Sequence, residues 1–286
     1  MNHNYFTSQD VVRLESQARV LRQDILNMIH AAGAGHPGGS LSAVEMVTAL
    51  YFHVMNIDPR NPRWPDRDRF VLSKGHAAPA LYAVLAHRGF FPVEELQTLR
   101  HIGSRLQGHP NMNTVPGVDM STGSLGQGVS TACGMAIGAR KKNLPTRVYT
   151  ILGDGEIQEG QVWEAFMFAG YYKLDNLVVM IDNNNLQIDG PITDVMSPYP
   201  IEEKLSAFGF FVQTIDGHDF DAIEAALERA GQEKGRPYAI VLKTVKGKGV
   251  SFMENEVDWH GKGPNEEEYK RAMDELTVAL REMEAE

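Results

Sequence analysis

Apolar residues at Val12, Leu14, Ala18, Leu21, Ile25 and Ile29 recur at near-helical spacing and predict a helix over 8–32. A glycine-rich break follows, and then a second helix is predicted over 42–54. The stretch 56–68 is rich in proline and charge and reads as a surface loop. A short strand is predicted at 69–72, then helices over 77–87 and 92–99, the last with proline near its start. The second half has a clearer rhythm. Segments 148–152, 177–182, 210–215 and 238–242 are short, mostly apolar and β-branched or aromatic, as strands buried on both faces are. Helical patterns at 161–172, 201–207 and 220–230 lie between them, and a charged helix is predicted over 265–284. Alternation of this kind predicts an α/β fold: a doubly wound, mainly parallel sheet with helices on both faces. Ligands in such sheets bind beyond the carboxyl ends of the strands.

The balance of 43% hydrophobic and 22% charged residues is that of an ordinary soluble globular protein and permits a sizeable core. A formal net charge of -10 argues against a nucleic-acid or anionic-membrane partner. It leaves room for an anionic ligand, because a metal ion and a few donors can reverse the field within one pocket. With Cys133 alone, no intrachain disulfide can form, and nothing suggests an oxidising compartment. The start, MNHNYFTSQD, lacks the basic and apolar regions of a secretory signal, and no apolar run is long enough to cross a bilayer. The expected location is the cytoplasm.

Two segments follow predicted strands directly. The first is Gly153-Asp154-Gly155-Glu156-Ile157-Gln158-Glu159-Gly160, the second Asp182-Asn183-Asn184-Asn185-Leu186-Gln187-Ile188. Adjacent parallel strands would bring Asp154 and Asn184 together. A carboxylate, an amide oxygen and a nearby backbone carbonyl are hard ligands suited to magnesium or calcium, with positions left for phosphate oxygens and water. Gly153 and Gly155 would let a diphosphate approach the backbone, and a helix beginning near Glu159 would offer it free N–H groups. Taken singly, the first segment could be a tight turn and the second a polar loop. Four histidines sit in small-residue loops: His36 in GHPGG, His76 in KGHA, His109 in GHPN and His260 in WHGKGP. Each could present its imidazole to a ligand, or simply satisfy local turn carbonyls. His3, His30, His53, His87, His101 and His218 read as solvated or structural. Ser121-Thr122-Gly123-Ser124-Leu125-Gly126-Gln127-Gly128 lacks a Walker lysine and the Rossmann glycine spacing. Lys243, Lys246 and Lys248 read as a solvated strand end, and Trp259 as a packing anchor for the His260 loop.

GDG followed one strand later by NN resembles the diphosphate motif of thiamine-diphosphate enzymes. GDGEIQEGQVWEAF…IDNNNLQIDG is most similar to the transketolase version. The resemblance covers nearly the whole chain. It implies the thiamine-diphosphate-binding fold, with residues 1–286 as a single PP-type domain carrying an N-terminal helical extension and a C-terminal helix. It also implies thiamine diphosphate and magnesium as cofactors, with calcium or manganese as substitutes. Asp154 and Asn184 would ligate the metal by side-chain oxygens and Leu186 by its carbonyl. Gly153, Asp154, Gly155 and Asn184 would lie at the diphosphate. Glu159 matches the acidic residue at the contact between the family's cofactor-bearing halves. His76 and His260 would contact the diphosphate and the substrate's reacting end, while His36 and His109 would meet sugar hydroxyls and assist proton transfer. The Gly123 carbonyl would take the aminopyrimidine N–H, and Leu125 would support the bent cofactor. Two positions depart from the family pattern: Asn111 stands where glutamate is frequent, and Ser124 where proline is usual.

By the same resemblance, the pyrimidine-binding and C-terminal domains are missing, together with the glutamate that activates the cofactor and the arginines that hold a sugar phosphate. The implied partner is a C-terminal transketolase subunit, most simply in an α2β2 assembly. The implied activity transfers a two-carbon ketol unit from a ketose phosphate to an aldose phosphate. The alternatives are another thiamine-diphosphate enzyme, of the 2-oxoacid dehydrogenase or deoxyxylulose-phosphate synthase type, or a non-catalytic cofactor-binding subunit.

Overall fold

Helix α1 (Ser8–Ala32) begins at Thr7, whose side chain accepts from the Asp10 N–H while Asp10 returns the bond to the Thr7 N–H. It ends at Gly33 in the left-handed region, φ 62. Helices α2 (Pro37–Leu41) and α3 (Val44–Ala49) follow, the latter widening into a π-type turn over Leu50–Val54. Strand β1 (Arg69–Leu72) leads through a 3-10 turn into α4 (Ala78–His87). Next come α5 (Gln127–Lys141), β2 (Val148–Gly153), α6 (Gly160–Tyr171) and β3 (Leu177–Asn183). A small hairpin of β4 (Leu186–Gln187) and β5 (Gly190–Pro191) precedes α7 (Ile192–Met196) and α8 (Ile201–Ala207). Then β6 (Phe211–Asp216), α9 (Phe220–Gln232), β7 (Tyr238–Lys243) and α10 (Glu266–Ala285) complete the chain. This computed structural model describes residues 6–285; His3 lies outside them.

The five long strands form one parallel sheet in the order β1-β2-β3-β7-β6. Alternate residues feed opposite faces, as the pleat requires. Phe70, Leu72, Val178, Met180, Ile240 and Leu242 pack with α1, α3, α4 and α9, while Val71, Val179, Ile181, Ala239 and Val241 pack with α5, α6 and α8. This double burial is why the strands read as continuous apolar runs. The outer edge of β1 is covered by the chain at 119–122: Phe70 N–H donates to Asp119 (2.9 Å) and Thr122 Oγ1 to the Leu72 carbonyl (2.7 Å). Among the described residues, no helix is long and apolar enough to cross a membrane.

Three expectations change. The helix predicted over 42–54 starts at Pro37, whose ring suits a first helical turn, and breaks before α3 at Ala43 (ψ 0). The segment predicted over 92–99 closes only a 3-10 turn at Val93–Thr98. Helix α5 has no counterpart in the apolar pattern, because its glycines and hydroxyl residues weaken helical periodicity. Those glycines serve close packing instead: a Cβ on Gly128 would lie 2.6 Å from the Ser73 Cα. Gly128→Ala must push α5 off the end of β1 and should destabilise the protein by about 1–3 kcal/mol. Urea unfolding measures this, and an unchanged midpoint would refute the tight contact.

Candidate active site

Register brings the carboxyl ends of β2, β3 and β7 level: Gly153 pairs with Asp182, and Asp182 with Leu242. The loops beyond them converge as adjacent parallel strands demand. Asp154 is only 2% exposed. Its carboxylate accepts from the N–H groups of Gly155 (2.8 Å) and Asn185 (2.6 Å) and from Asn183 Nδ2 (3.0 Å). Burial pushes its pKa up to about 6, against the pull of these donors. No cation pairs with it among the described residues. Asn184 donates to Asp182 (3.3 Å) and accepts from the Leu186 N–H (3.1 Å).

A buried charge pair underlies this edge. Lys74, 1% exposed at the end of β1, donates to Asp182 and to the Gly39 carbonyl (2.6 Å). Ser42 Oγ (2.6 Å) and Thr244 also donate to Asp182. Glu156 ties a second junction by accepting from Ser73 and from the N–H groups of Gly126 (2.9 Å) and Gly153 (3.0 Å). The Gly153 and Gly155 amides are thus engaged by carboxylates of the chain. A 3-10 turn at Glu156–Gln158 separates Asp154 from α6, so the helix start lies a turn beyond the metal-type residues. Glu159 is exposed beside Gly126, where an added Cβ would lie 2.9 Å from its own.

His36, His76 and His260 form one cluster, with ring centroids 5.3 Å (36–76), 5.7 Å (36–260) and 5.3 Å (76–260) apart. His36 Nδ1 is buried without a hydrogen-bond partner. Lys246 reads in sequence as part of a solvated strand end, yet it is 2% exposed. Its ammonium donates to the Leu186 carbonyl (3.0 Å) and to His260 Nδ1 (2.9 Å), which leaves the His260 proton on Nε2. Burial, and then the charge of Lys74, lowers the Lys246 pKa to about 8. Lys243 and Lys248 keep the expected exposed or half-buried position. Trp259 is buried and donates to the Phe252 carbonyl (3.0 Å), the anchor its context suggests.

His109 arrives on a separate loop. Tyr82, from α4, donates to the carbonyls of Gln107 (2.8 Å) and His109 (3.2 Å). The His109 ring lies against Gly123, φ 153, where a Cβ would approach it to 3.1 Å. Gly75 meets the same loop, so a side chain there would strike Gly123 N at 2.8 Å. Leu125 is partly exposed on that loop. His218 is structural: it accepts from the Val245 N–H (2.8 Å) and contacts Glu45 (3.0 Å). Motif and spacing do not single out Lys74, Lys246, Asp182 or Glu156 as site-forming groups. A charged residue at the carboxyl end of an apolar strand or within two residues of it, the signal that marks Asp154, nevertheless also marks Asp182 and Lys74.

A divalent cation fits the chemistry of Asp154, a buried carboxylate without a cation. Among the described residues no three His, Cys, Asp or Glu side chains gather as a metal set. Such an ion would therefore rest on one carboxylate, an amide oxygen and a carbonyl, with Lys246 yielding the Leu186 oxygen. A diphosphate fits the Lys246 ammonium and the unpaired His36 nitrogen.

Fold and pocket together define a doubly wound α/β protein built to take a polyanion at its strand ends. The chain belongs to the transketolase family: residues 12–282 match the model described as "Transketolase, thiamine diphosphate binding domain". It is 50% identical over 269 residues to the 6-deoxy-6-sulfo-D-fructose transketolase subunit SqwG of Clostridium sp. (strain MSTE9), covering 94% of this chain and 98% of that one. It is 42% identical to an apulose-4-phosphate transketolase subunit from Actinobacillus succinogenes, covering 92% and 95%. The solved transketolase of Campylobacter jejuni superposes with a TM-score of 0.87 at 36% identity, over 92% of this chain and 42% of that one. The chain therefore spans less than half the length of that solved transketolase.

The cluster's protonation is set by burial. Burial first, then Arg100, His109 and Lys246, lowers the His36 pKa to about 4. His260 falls to about 3, through burial and then Lys246, and His76 and His109 are lowered as well. Below the ordinary imidazole value of 6.5 the unfolded chain takes up protons that the folded cluster refuses. Stability should be full above that pH and decline as pH falls toward 4. Chemical denaturation across this range should show a flatter slope for His36→Asn/His260→Asn, and an unaltered slope would refute the buried, neutral cluster.

Proposed function

We propose that residues 1–286 form one PP-type domain acting as the diphosphate-binding subunit of a two-chain, magnesium-dependent transketolase. The observation that carries this reading is the unpaired Nδ1 of His36, within a three-imidazole cluster beside two buried ammoniums and the cation-free Asp154. It supports a ligand that brings both negative charge and a metal ion. When bound, thiamine diphosphate supplies the carbon nucleophile and electron sink for ketol transfer. Asp154, Asn184 and the Leu186 carbonyl hold the metal, which calcium or manganese can replace, and Gly153 and Gly155 give the diphosphate room. His76 and His260 orient the diphosphate and the reacting end of the sugar, with His260 offering the proton on Nε2. His36 and His109, neutral at pH 7, accept and return hydroxyl protons. Gly123 and Leu125 meet the far ring of the cofactor, and Glu159 lies at the junction with the second half.

A partner chain bearing the pyrimidine-binding domain is supported by the end-to-end match to proteins that are themselves named as subunits. An α2β2 assembly in the cytoplasm is the simplest arrangement, with a place in pentose phosphate chemistry. Candidate donors are ketoses ending in a phosphate or sulfonate, the termini that those relatives' names carry.

Ketol transfer from xylulose 5-phosphate to ribose 5-phosphate, with cofactor and magnesium, should need both this chain and its partner; turnover by this chain alone would overturn the half-enzyme reading. Separately, Asp154→Ala should abolish metal-dependent cofactor binding in calorimetry. Retained tight binding would sink the metal assignment.

A further inference from the structure

Tyr199 sits where the chain, having left the strand ends through the β4–β5 hairpin and α7, turns back toward the sheet. Lys204 of α8 fastens its backbone there, donating to the carbonyls of Pro198 (2.6 Å) and Tyr199 (3.0 Å) with its ammonium 5.6 Å from the Trp163 ring centroid. The half-buried ring packs against the apolar layer between the sheet and α5, α6 and α8. Lys243 covers the ring at 5.6 Å. The hydroxyl is thereby delivered to Asn183 and Asn185, the residues on either side of Asn184.

A phenol has one proton to donate, and a carboxylate can only accept, which fixes the direction of each bond in this group. Asn183 Nδ2 donates to Asp154 Oδ2 (3.0 Å), so the Oδ1 of the same amide is what accepts from the Lys243 ammonium (2.7 Å). The second Nδ2 hydrogen goes to the Tyr199 oxygen (2.8 Å). Tyr199 in turn donates its proton to Asn185 Oδ1, the nearer of the two amide oxygens beside it. The Asn185 N–H then closes the circle by donating to the same Asp154 Oδ2 (2.6 Å). Asn185 has φ 66, a left-handed conformation strained for most side-chain-bearing residues, and this amide anchor helps hold it there. Two donors fill Asp154 Oδ2. Among the described residues, Oδ1 accepts only from the Gly155 N–H (2.8 Å), so it is the oxygen left for a cation.

We infer that Tyr199 is a positioning residue for the metal site: by tying Asn183 to Asn185 it keeps Asp154 Oδ2 filled and leaves Oδ1 as a one-oxygen ligand. This rests on the metal and thiamine-diphosphate reading given above. A single carboxylate oxygen suits magnesium, which demands a near-ideal octahedron, whereas calcium accepts both oxygens and looser geometry. Tyr199 therefore acts, through Asp154, on which cation the site prefers.

The test uses the complex of this chain with its partner subunit, in excess thiamine diphosphate, titrated calorimetrically with magnesium and separately with calcium. Tyr199→Phe removes the hydroxyl and keeps the ring, so the unfolding midpoint should stay close to wild type. The magnesium Kd should rise about 10- to 100-fold, the range for losing an outer partner of a metal ligand. The calcium Kd should rise less, so the preference for magnesium narrows. Asn185→Gly keeps the left-handed backbone and the N–H but lacks the amide oxygen; it should narrow the preference in the same way. The double variant should add little to either single change, as expected for two ends of one bond. Equal losses for the two ions would reduce Tyr199 to support of the 186–200 segment and overturn the inference. Unchanged affinities in a complex that still binds cofactor would overturn it alone. A wild-type complex in which neither ion promotes cofactor binding would overturn the metal reading, and the inference with it.

Discussion

The carboxyl edge of the sheet depends on one buried ion pair, Lys74 with Asp182. Burial pushes the Asp182 carboxyl up, but the ammonium and the hydroxyls of Ser42 and Thr244 outweigh it and hold it below the usual carboxylate range. Its partners come from the end of β1, the turn after α2 and the chain leaving β7. Such a pair adds little net stability, since desolvation offsets much of the attraction; what it fixes is geometry. Lys74 also grips the Gly39 carbonyl, so the segment carrying His36 is fastened to the strand ends. Asn184, bonded to the same carboxylate, inherits that position.

Above this pair the buried charges are of both signs. Lys74 is taken up by Asp182, which leaves Lys246 as the ammonium set among neutral imidazoles and Asp154. Low dielectric strengthens every charge held there, so an anion gains more from Lys246 than it would from a surface lysine. Burial keeps the histidines neutral, and the neighbouring cations add to it: protonating any of them would place a further charge beside others already buried. Neutral imidazoles can both accept and donate, which suits proton transfer to and from sugar hydroxyls.

Close backbone contacts provide the third layer of order. Gly75 against Gly123, Gly123 against the His109 ring and Gly128 against Ser73 bring the loops after β1 and before α5 into direct contact. Side chains at these positions would separate the loops that carry His76 and His109. The glycines that obscured α5 in the sequence are thus what allow its start to approach the site.

The sequence by itself determined the strands, because runs buried on both faces must be continuously apolar. It determined the site's location too, because Asp154 and Asn184 each follow such a run. Histidines set among glycines and prolines were legible for a similar reason: those neighbours suit loops facing a ligand. What only the tertiary structure decided is which charged groups lie inside. Lys243, Lys246 and Lys248 are equivalent as letters, but the turn at Gly247, φ 80, and its bond to the Gly38 carbonyl bury Lys246 alone. Periodicity and spacing are local properties written along the chain. Burial and the pairing of charges depend on which distant segments meet, and that is settled only when the sheet closes and its loops converge.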